Sequence, residues 1–178
     1  MLQLKLWLLD ADVIIDLLAL NVFNKLIKNH DVFIASTVID EVRYYISGGL
    51  KFEVQFRQSY IIDNGLVHEV SGTAVEIGQV IASLPALQKE VIHAGELESL
   101  AILLRETELT FCSCDAATIR VLPFLDLSER GISVEKLLRT SGLSQSGLRE
   151  RHTEAYFKDN LSIGQREKVQ HFGKNTKP

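Results

Sequence analysis

The chain has 178 residues, of which 46% are hydrophobic, and carries a formal net charge of −4 at pH 7. This length fits one domain with a full hydrophobic core, and the apolar content excludes wholesale disorder. The negative charge argues against a protein that is basic over its whole surface and binds nucleic acid nonspecifically. No apolar run approaches the roughly 20 residues of a membrane span, and the N-terminal residues lack the pattern of a signal peptide. We therefore expect a cytoplasmic protein that has no membrane contact.

The first strand and helix are the clearest elements. Apolar residues between Leu4 and Leu9 predict a buried strand that ends at Asp10. Helical spacing over residues 12–28 then predicts one amphipathic helix with Asp12 as its N-cap. A second apolar stretch, 32–35, predicts the next strand.

The next segments are punctuated by helix caps. Thr37 and Asp40 have capping-box spacing, which predicts a helix with Glu41 in its first turn that ends at the glycines 48–49. The sequence KFEVQF fits a strand or a helix, whereas LVHEV predicts a short strand. A second capping box, Thr73 with Glu76, predicts a helix that stops near residue 85.

The remaining segments continue the alternation. Residues 95–105 predict a helix with Glu96 in its first turn, and residues 110–114 predict a strand that ends at Asp115. A helix over 116–121, a short element over 132–138 and amphipathic helices after Ser141 follow. This alternation predicts an α/β fold with a parallel sheet and helices on both faces.

Four acids occupy corresponding places in this pattern. Asp10 and Asp115 each follow a strand, and the carboxyl ends of parallel strands share one crevice, where ligands bind. Glu41 and Glu96 lie at predicted helix starts, where a charge that only stabilises the helix dipole is the plainer interpretation. Carboxylates gathered without Cys or His favour a hard cation, Mg²⁺ or Mn²⁺.

Four segments of the chain resemble the acidic motifs of PIN-domain nucleases, in the order usual for that family: LLDADVIIDLL, STVIDEVRYY, HAGELESLAILL and FCSCDAATIRV. The resemblance covers roughly residues 1–140. It implies a three-layer α/β/α sandwich around a parallel sheet of four or five strands. A helical C-terminal extension over 141–178, which we expect to pack on this domain, lies outside the resemblance.

The resemblance also implies roles for individual residues. The catalytic acids would be Asp10, Glu41, Glu96 and Asp115, and the metal ligands Asp10, Glu96 and Asp115. Ser113 stands where the family tends to place a Ser or Thr that supports the site. Asp12 replaces the small polar residue usual there, so it either joins the cluster or caps its helix. Glu98 competes with Glu96 for the third acidic position.

The implied activity is a Mg²⁺- or Mn²⁺-dependent ribonuclease that hydrolyses RNA phosphodiester bonds. Arg43 is a candidate RNA contact, with a surface salt bridge as the alternative. From Arg149 onward the chain has seven Lys/Arg against four Asp/Glu, so a basic tail beside an acidic cleft could hold phosphates. A plain solvated helix is the alternative for this tail.

The family includes toxins of toxin–antitoxin pairs, so an antitoxin-like protein partner and a homodimer are further expectations. Two other functions stay open. DADVI also fits the haloacid dehalogenase class, in which Asp10 would be a nucleophile and Asp12 a general acid, although Lys89 is poorly placed for the lysine which that chemistry needs. The other alternative is a catalytically silent module that binds RNA or a protein.

Overall fold

A computed structural model describes residues 6–174 of the chain. Its strands are β1 (Leu6–Leu9), β2 (Asp31–Ala35), β3 (Tyr44–Ser47), β4 (Leu50–Glu53), β5 (His68–Val70), β6 (Thr110–Cys112) and β7 (Gly131–Ile132). Five of them form one sheet in the order β5-β2-β1-β6-β7, and every neighbouring pair in it is parallel. The other two, β3 and β4, form a separate antiparallel hairpin.

Helices connect the strands of the parallel sheet. They are α1 (Ala11–Ala19), α2 (Phe23–Asn29), α3 (Ser36–Glu41), α4 (Ala74–Ser83), α5 (Ala86–Lys89), α6 (Ala94–Arg105), α7 (Ala116–Val121), α8 (Val134–Thr140) and α9 (Glu154–Lys174). The sheet is apolar, with Leu8, Ile34 and Phe111 fully buried. The protein is therefore α/β, and its arrangement is compatible with the expected three-layer sandwich. In the part of the chain described, no helix has both the length and the apolar character that a membrane span requires.

The strand order creates a crevice beside β1. The chain starts in the centre of the sheet with β1, moves outward to β2 and β5, and then crosses to the other side of β1 for β6 and β7. Such a reversal leaves an opening at the carboxyl ends of the two strands where it occurs, and ligands of open α/β sheets bind there. In this protein those strands are β1 and β6.

The first predicted helix differs from the observed structure in two ways. Asp10, and not Asp12, is the N-cap of α1, because the Asp10 carboxylate accepts a hydrogen bond from Ala11 N. The single helix predicted over 12–28 is also divided into α1 and α2. Asn21 lies between them with a φ of 55°, a left-handed conformation that Asn tolerates better than most residues and that ends α1.

The prediction around Glu41 was wrong in its details. Helix α3 begins at Ser36 without a side-chain cap and ends at Glu41, so Glu41 lies at its last residue and not in its first turn. Gly48 and Gly49 form the turn of the β3–β4 hairpin, with φ values of 57° and 77°, and do not end a helix. A turn of this kind requires positive φ at both positions, which glycine adopts without steric cost.

Several local predictions are confirmed. Both hydrogen bonds of the Thr73–Glu76 capping box are present, and α4 ends at Ser83, before Pro85. Glu96 lies in the first turn of α6. Residues 132–138 divide between β7 and α8.

The C-terminal helix α9 packs closely on α7. A side chain added at Gly164 of α9 would place Cβ 2.1 Å from the carbonyl oxygen of Arg120 on α7, so only glycine fits at this crossing. Nearby, Arg120 Nε donates to Asn160 Oδ1 at 2.9 Å. The helix is therefore held against the elements that follow β6.

Candidate acidic metal centre

Asp10 lies at the carboxyl end of β1, with only 4% of its surface exposed. Its backbone N–H donates to Cys112 O of the neighbouring strand at 3.3 Å. Its Oδ1 accepts from Ala11 N at 2.8 Å, and its Oδ2 accepts from Ser113 Oγ at 3.0 Å. Burial and the negative charge of Glu96 raise the pKa of Asp10 to about 7, although the two hydrogen bonds oppose that change. The carboxylate is thus held in place but costly to ionise without a cation.

Ser113 connects the first and last acids of the set. While it donates to Asp10, its Oγ also accepts from Asp115 N at 3.2 Å. Asp115 is the N-cap of α7, and its Oδ1 accepts from Thr118 N at 2.9 Å. The supporting role expected of Ser113 therefore has a specific geometry, because one hydroxyl contacts the side chain of one acid and the backbone of the other.

Glu96 lies between these groups and is 8% exposed. Its Oε2 accepts from His93 N at 2.8 Å, which places the carboxylate across the start of α6. Burial and the charge of Asp115 raise its pKa, while the hydrogen bond from His93 and one from Thr118 lower it in part. Glu96 therefore interacts electrostatically with both Asp10 and Asp115.

Glu41 reaches the same region through a close helix contact. A Cβ at Gly95 would lie 2.8 Å from Glu41 Oε1 and 3.0 Å from Val38 Cγ2, so the end of α3 packs directly on the start of α6. The position next to Glu96 must therefore be glycine for Glu41 to approach. Burial, with the charge of Asp12, raises the pKa of Glu41, and His93 opposes this effect. Glu41 is nevertheless an exposed residue, so it lies at the outer side of the cluster.

Two further acids weighed from the sequence have different positions. The Asp12 side chain is 51% exposed and forms a salt bridge with Arg151 at 3.0 Å, although its charge still raises the pKa of Asp10. Glu98 is buried, and its two oxygens accept from Thr37 N at 2.8 Å and from Gly72 N at 3.0 Å. Glu98 therefore ties α6 to the start of α3 and to the segment after β5. Both of its oxygens are engaged by backbone amides and not by the cluster.

The candidate RNA contact Arg43 is exposed. Its Nε donates to the backbone carbonyl of Asp40 at 3.1 Å. Among the residues described, no acid forms a salt bridge with Arg43, so its terminal guanidinium nitrogens face solvent. This position is compatible with a phosphate contact and does not establish one.

The set of groups at this edge fits a hard divalent cation. The donors are carboxylates and hydroxyls, which are the ligands that Mg²⁺ and Mn²⁺ prefer over soft sulfur and nitrogen. They come from β1, α3, α6 and the end of β6, four elements that are far apart in sequence. Asp10, Glu96 and Asp115 are the residues best placed to hold the cation, and Glu41 lies beside them.

Asp16, Cys114 and His152 form a second buried group, with their possible ligand atoms within 4.8 Å of one another. His152 Nδ1 accepts from Arg149 N at 3.0 Å, so the ring proton lies on Nε2, which is 2.7 Å from Asp16 Oδ2. Neither ring nitrogen then has a free lone pair. The Arg151 guanidinium also contacts Asp16. A cation here would have to displace both that guanidinium and the ring proton, so we interpret the group as a hydrogen-bonded ion pair.

This second group was missed from the sequence. Asp12 and Asp16 are spaced by four residues on α1, which indicates a shared helix face, but no local pattern indicates that residues 149–152 cover that face. Burial raises the pKa of Asp16, but the hydrogen bond from His152 and the charge of Arg151 outweigh burial and lower it overall. Asp16 is therefore ionised and fully paired.

Comparison of the chain with models of known protein families, with curated proteins and with solved structures finds no match.

Proposed function

We propose that this protein is a Mg²⁺- or Mn²⁺-dependent ribonuclease of PIN-like organisation that hydrolyses RNA phosphodiester bonds. One observation carries the proposal. Asp10, Glu41, Glu96 and Asp115 come from four separate elements and converge beside the crevice at the carboxyl ends of β1 and β6. An acid that only stabilises a helix dipole needs no second carboxylate beside it, so the simpler interpretation does not account for the convergence.

The electrostatics support the same conclusion. Like charges held close together, with partial burial, raise carboxyl pKa values and destabilise the folded state unless a cation is bound. The pKa values of Asp10, Glu41 and Glu96 are all raised in this way. Perturbed groups of this kind concentrate at functional sites in proteins.

In this proposal, Asp10, Glu96 and Asp115 hold the cation. Ser113 and Thr118 keep the carboxylates of Asp10 and Asp115 in fixed orientations, through the hydrogen bonds given above. A bound Mg²⁺ or Mn²⁺ supplies neutralisation of the phosphoryl oxygens and activation of a water nucleophile. Glu41, at the exposed side of the cluster, is placed to accept a proton from an attacking water.

The phosphotransferase alternative has less support. It requires a general acid two residues after the nucleophile, but Asp12 forms a salt bridge with Arg151, which favours the ionised carboxylate over a proton donor. Lys89 is exposed on the short helix α5. An antitoxin-like protein partner and a homodimer stay part of the proposal through the family resemblance alone.

A cleavage assay tests the proposal. The purified protein should cleave single-stranded RNA with Mg²⁺ or Mn²⁺ and not with a chelator, and Asp10→Asn or Asp115→Asn should reduce cleavage to background. Asp159→Asn, on the exposed surface of α9, is the matched control and should keep full activity. Equal cleavage by wild type and all variants would identify a contaminating nuclease. RNA binding without cleavage would favour the silent module, and phosphate transfer from a small phosphoester through Asp10 would favour the phosphotransferase.

A further inference from the structure

Residues 149–152 form a fixed surface beside the acidic cluster. The segment contains a single 3-10 turn, Glu150–His152, and His152 is 1% exposed. His152 is held by Arg149 N on one ring nitrogen and by Asp16 on the other. Because Asp16 belongs to α1, this contact ties the segment to the helix that Asp10 caps. The arginines on either side of Glu150 are therefore held beside the start of α1.

These two arginines face the acids of α1. Arg151 donates from one terminal nitrogen to Asp12 Oδ2 at 3.0 Å and from the other to Asp16. Arg149 has a terminal nitrogen 4.0 Å from Asp16 Oδ1, and its side chain is 66% exposed. Each arginine thus keeps N–H groups that these acids do not use. Asp12 lies close enough to the cluster for its charge to raise the pKa of Asp10, so both arginines lie at the cluster's edge.

The charge around the cluster makes such cations necessary for an RNA ligand. Five acids lie together there: Asp10, Asp12, Glu41, Glu96 and Asp115. They repel phosphates in excess of what one divalent cation can neutralise. Within residues 6–174, Arg151 is the one Lys or Arg that forms a salt bridge with any of these five acids. Guanidinium groups bind phosphate through paired N–H donors, so a partly used guanidinium at this edge is well suited to that ligand.

We propose that Arg149 and Arg151 form a phosphate-binding pair for the backbone of single-stranded RNA, next to the bond that the acidic cluster cleaves. This inference rests on the proposed ribonuclease function. Asp12 then has a defined role, because it anchors Arg151 at the edge of the cluster and is not a ligand of the cation. The C-terminal extension is in this way part of the substrate site.

Binding measurements on the full chain test the pair. We would titrate wild type, Arg149→Gln, Arg151→Gln and the double variant with a labelled single-stranded RNA oligonucleotide in Ca²⁺, where no cleavage product is detected, at several salt concentrations. Each lost phosphate contact on a single strand should make the slope of log affinity against log salt shallower by about 0.7, and the double variant's by about 1.4. Affinity should fall in parallel.

Arg166→Gln is the control, since Arg166 is exposed on α9 roughly 18 Å along the helix from Glu154. Its affinity and slope should equal those of wild type. Thermal melts with Mn²⁺ check the metal site separately, and Arg149→Gln should keep the full Mn²⁺ response. Because Arg151 pairs with the buried Asp16, its variant can lose stability, and in that case the exposed Arg149 decides the result.

Two outcomes would overturn the inference, and they are distinguishable. If wild type binds the RNA and both Arg149→Gln and the double variant keep its affinity and salt slope, the pair does not bind phosphate, while the ribonuclease proposal stands. If wild type cleaves and binds no single-stranded RNA, the ribonuclease proposal fails as well.

Discussion

Ser113 donates a hydrogen bond to Asp10 at 3.0 Å, and so joins two residues that are 103 positions apart in the chain. The contact exists because β1 and β6 are neighbours in the sheet, with Leu9 paired to Cys112. Each strand is followed by one of these residues. The hydroxyl fixes the orientation of the most buried acid in the cluster.

Ser113→Ala should destabilise the protein and weaken its response to Mn²⁺. The change removes the donor to Asp10 and leaves Asp115 N without its acceptor, which costs about 1–3 kcal/mol for a buried group. Ser99→Ala is the matched control, because Ser99 is fully buried but its Oγ has no hydrogen-bond partner among the residues described. Urea denaturation with and without Mn²⁺ measures both effects. Equal losses in the two variants would contradict the role given to Ser113.

Asp10→Asn should stabilise the metal-free protein at neutral pH and remove most of the Mn²⁺ response. The pKa of Asp10 rises from 3.8 to about 7 on folding, so between these values the folded state holds a proton that the unfolded state has lost. Stability from this group is therefore fully present below pH 3.8 and is lost as the pH rises through about 7. The variant's advantage should be near zero at the acidic end and largest above neutral pH.

Melting temperatures of wild type and Asp10→Asn, measured with chelator across this pH range, check the prediction. Adding Mn²⁺ at a hundredfold excess over its Kd should stabilise wild type by about 2.7 kcal/mol, and the variant by much less. A wild type whose melt ignores Mn²⁺, together with a variant that is less stable at every pH, would mean that Asp10 belongs to no cation site.

Gly95→Ala should displace Glu41 from the cluster. The new Cβ would lie 2.8 Å from Glu41 Oε1, so the carboxylate must move away, and the packing of α3 on α6 changes with it. We expect a smaller Mn²⁺ response and slower RNA cleavage. Gly78→Ala is the control, since Gly78 lies in α4 with open space around its Cβ position. That change should add up to about 1 kcal/mol through helix propensity and leave the Mn²⁺ response intact.

Glu98→Gln and Glu96→Gln should have opposite effects, although the two residues are neighbours on α6. Glu98 accepts two backbone N–H groups, and an amide with one oxygen can accept only one of them at its original site, so we expect a loss of about 1–3 kcal/mol with the Mn²⁺ response retained. Glu96→Gln removes a charge from the cluster and should reduce the Mn²⁺ response. If Glu96→Gln costs only about 0.3–1 kcal/mol and keeps that response, Glu96 is a dipole charge.

Local patterns in the sequence were enough to predict most of the elements that carry the site. The apolar run before Asp10 predicted a strand end there, and the period of residues 95–105 predicted a helix with Glu96 in its first turn, as observed. Such features depend on neighbours within a few residues, which is why periodicity and capping patterns reveal them. The prediction failed where a local signal was weak or shared, as at Asp12, since Asp10 is an equally good cap two residues earlier.

Tertiary structure alone decided which acids meet and what surrounds them. Glu41 approaches Glu96 because Gly95 lets two helices pack closely, and Glu98 is engaged by the backbone of segments that precede its helix in sequence. The contact of Arg151 with Asp12 joins the C-terminal extension to the first helix. These relationships depend on strand order and helix packing between distant segments. No periodicity within one segment encodes them, because each is set by the shape and charge of the partner across the interface.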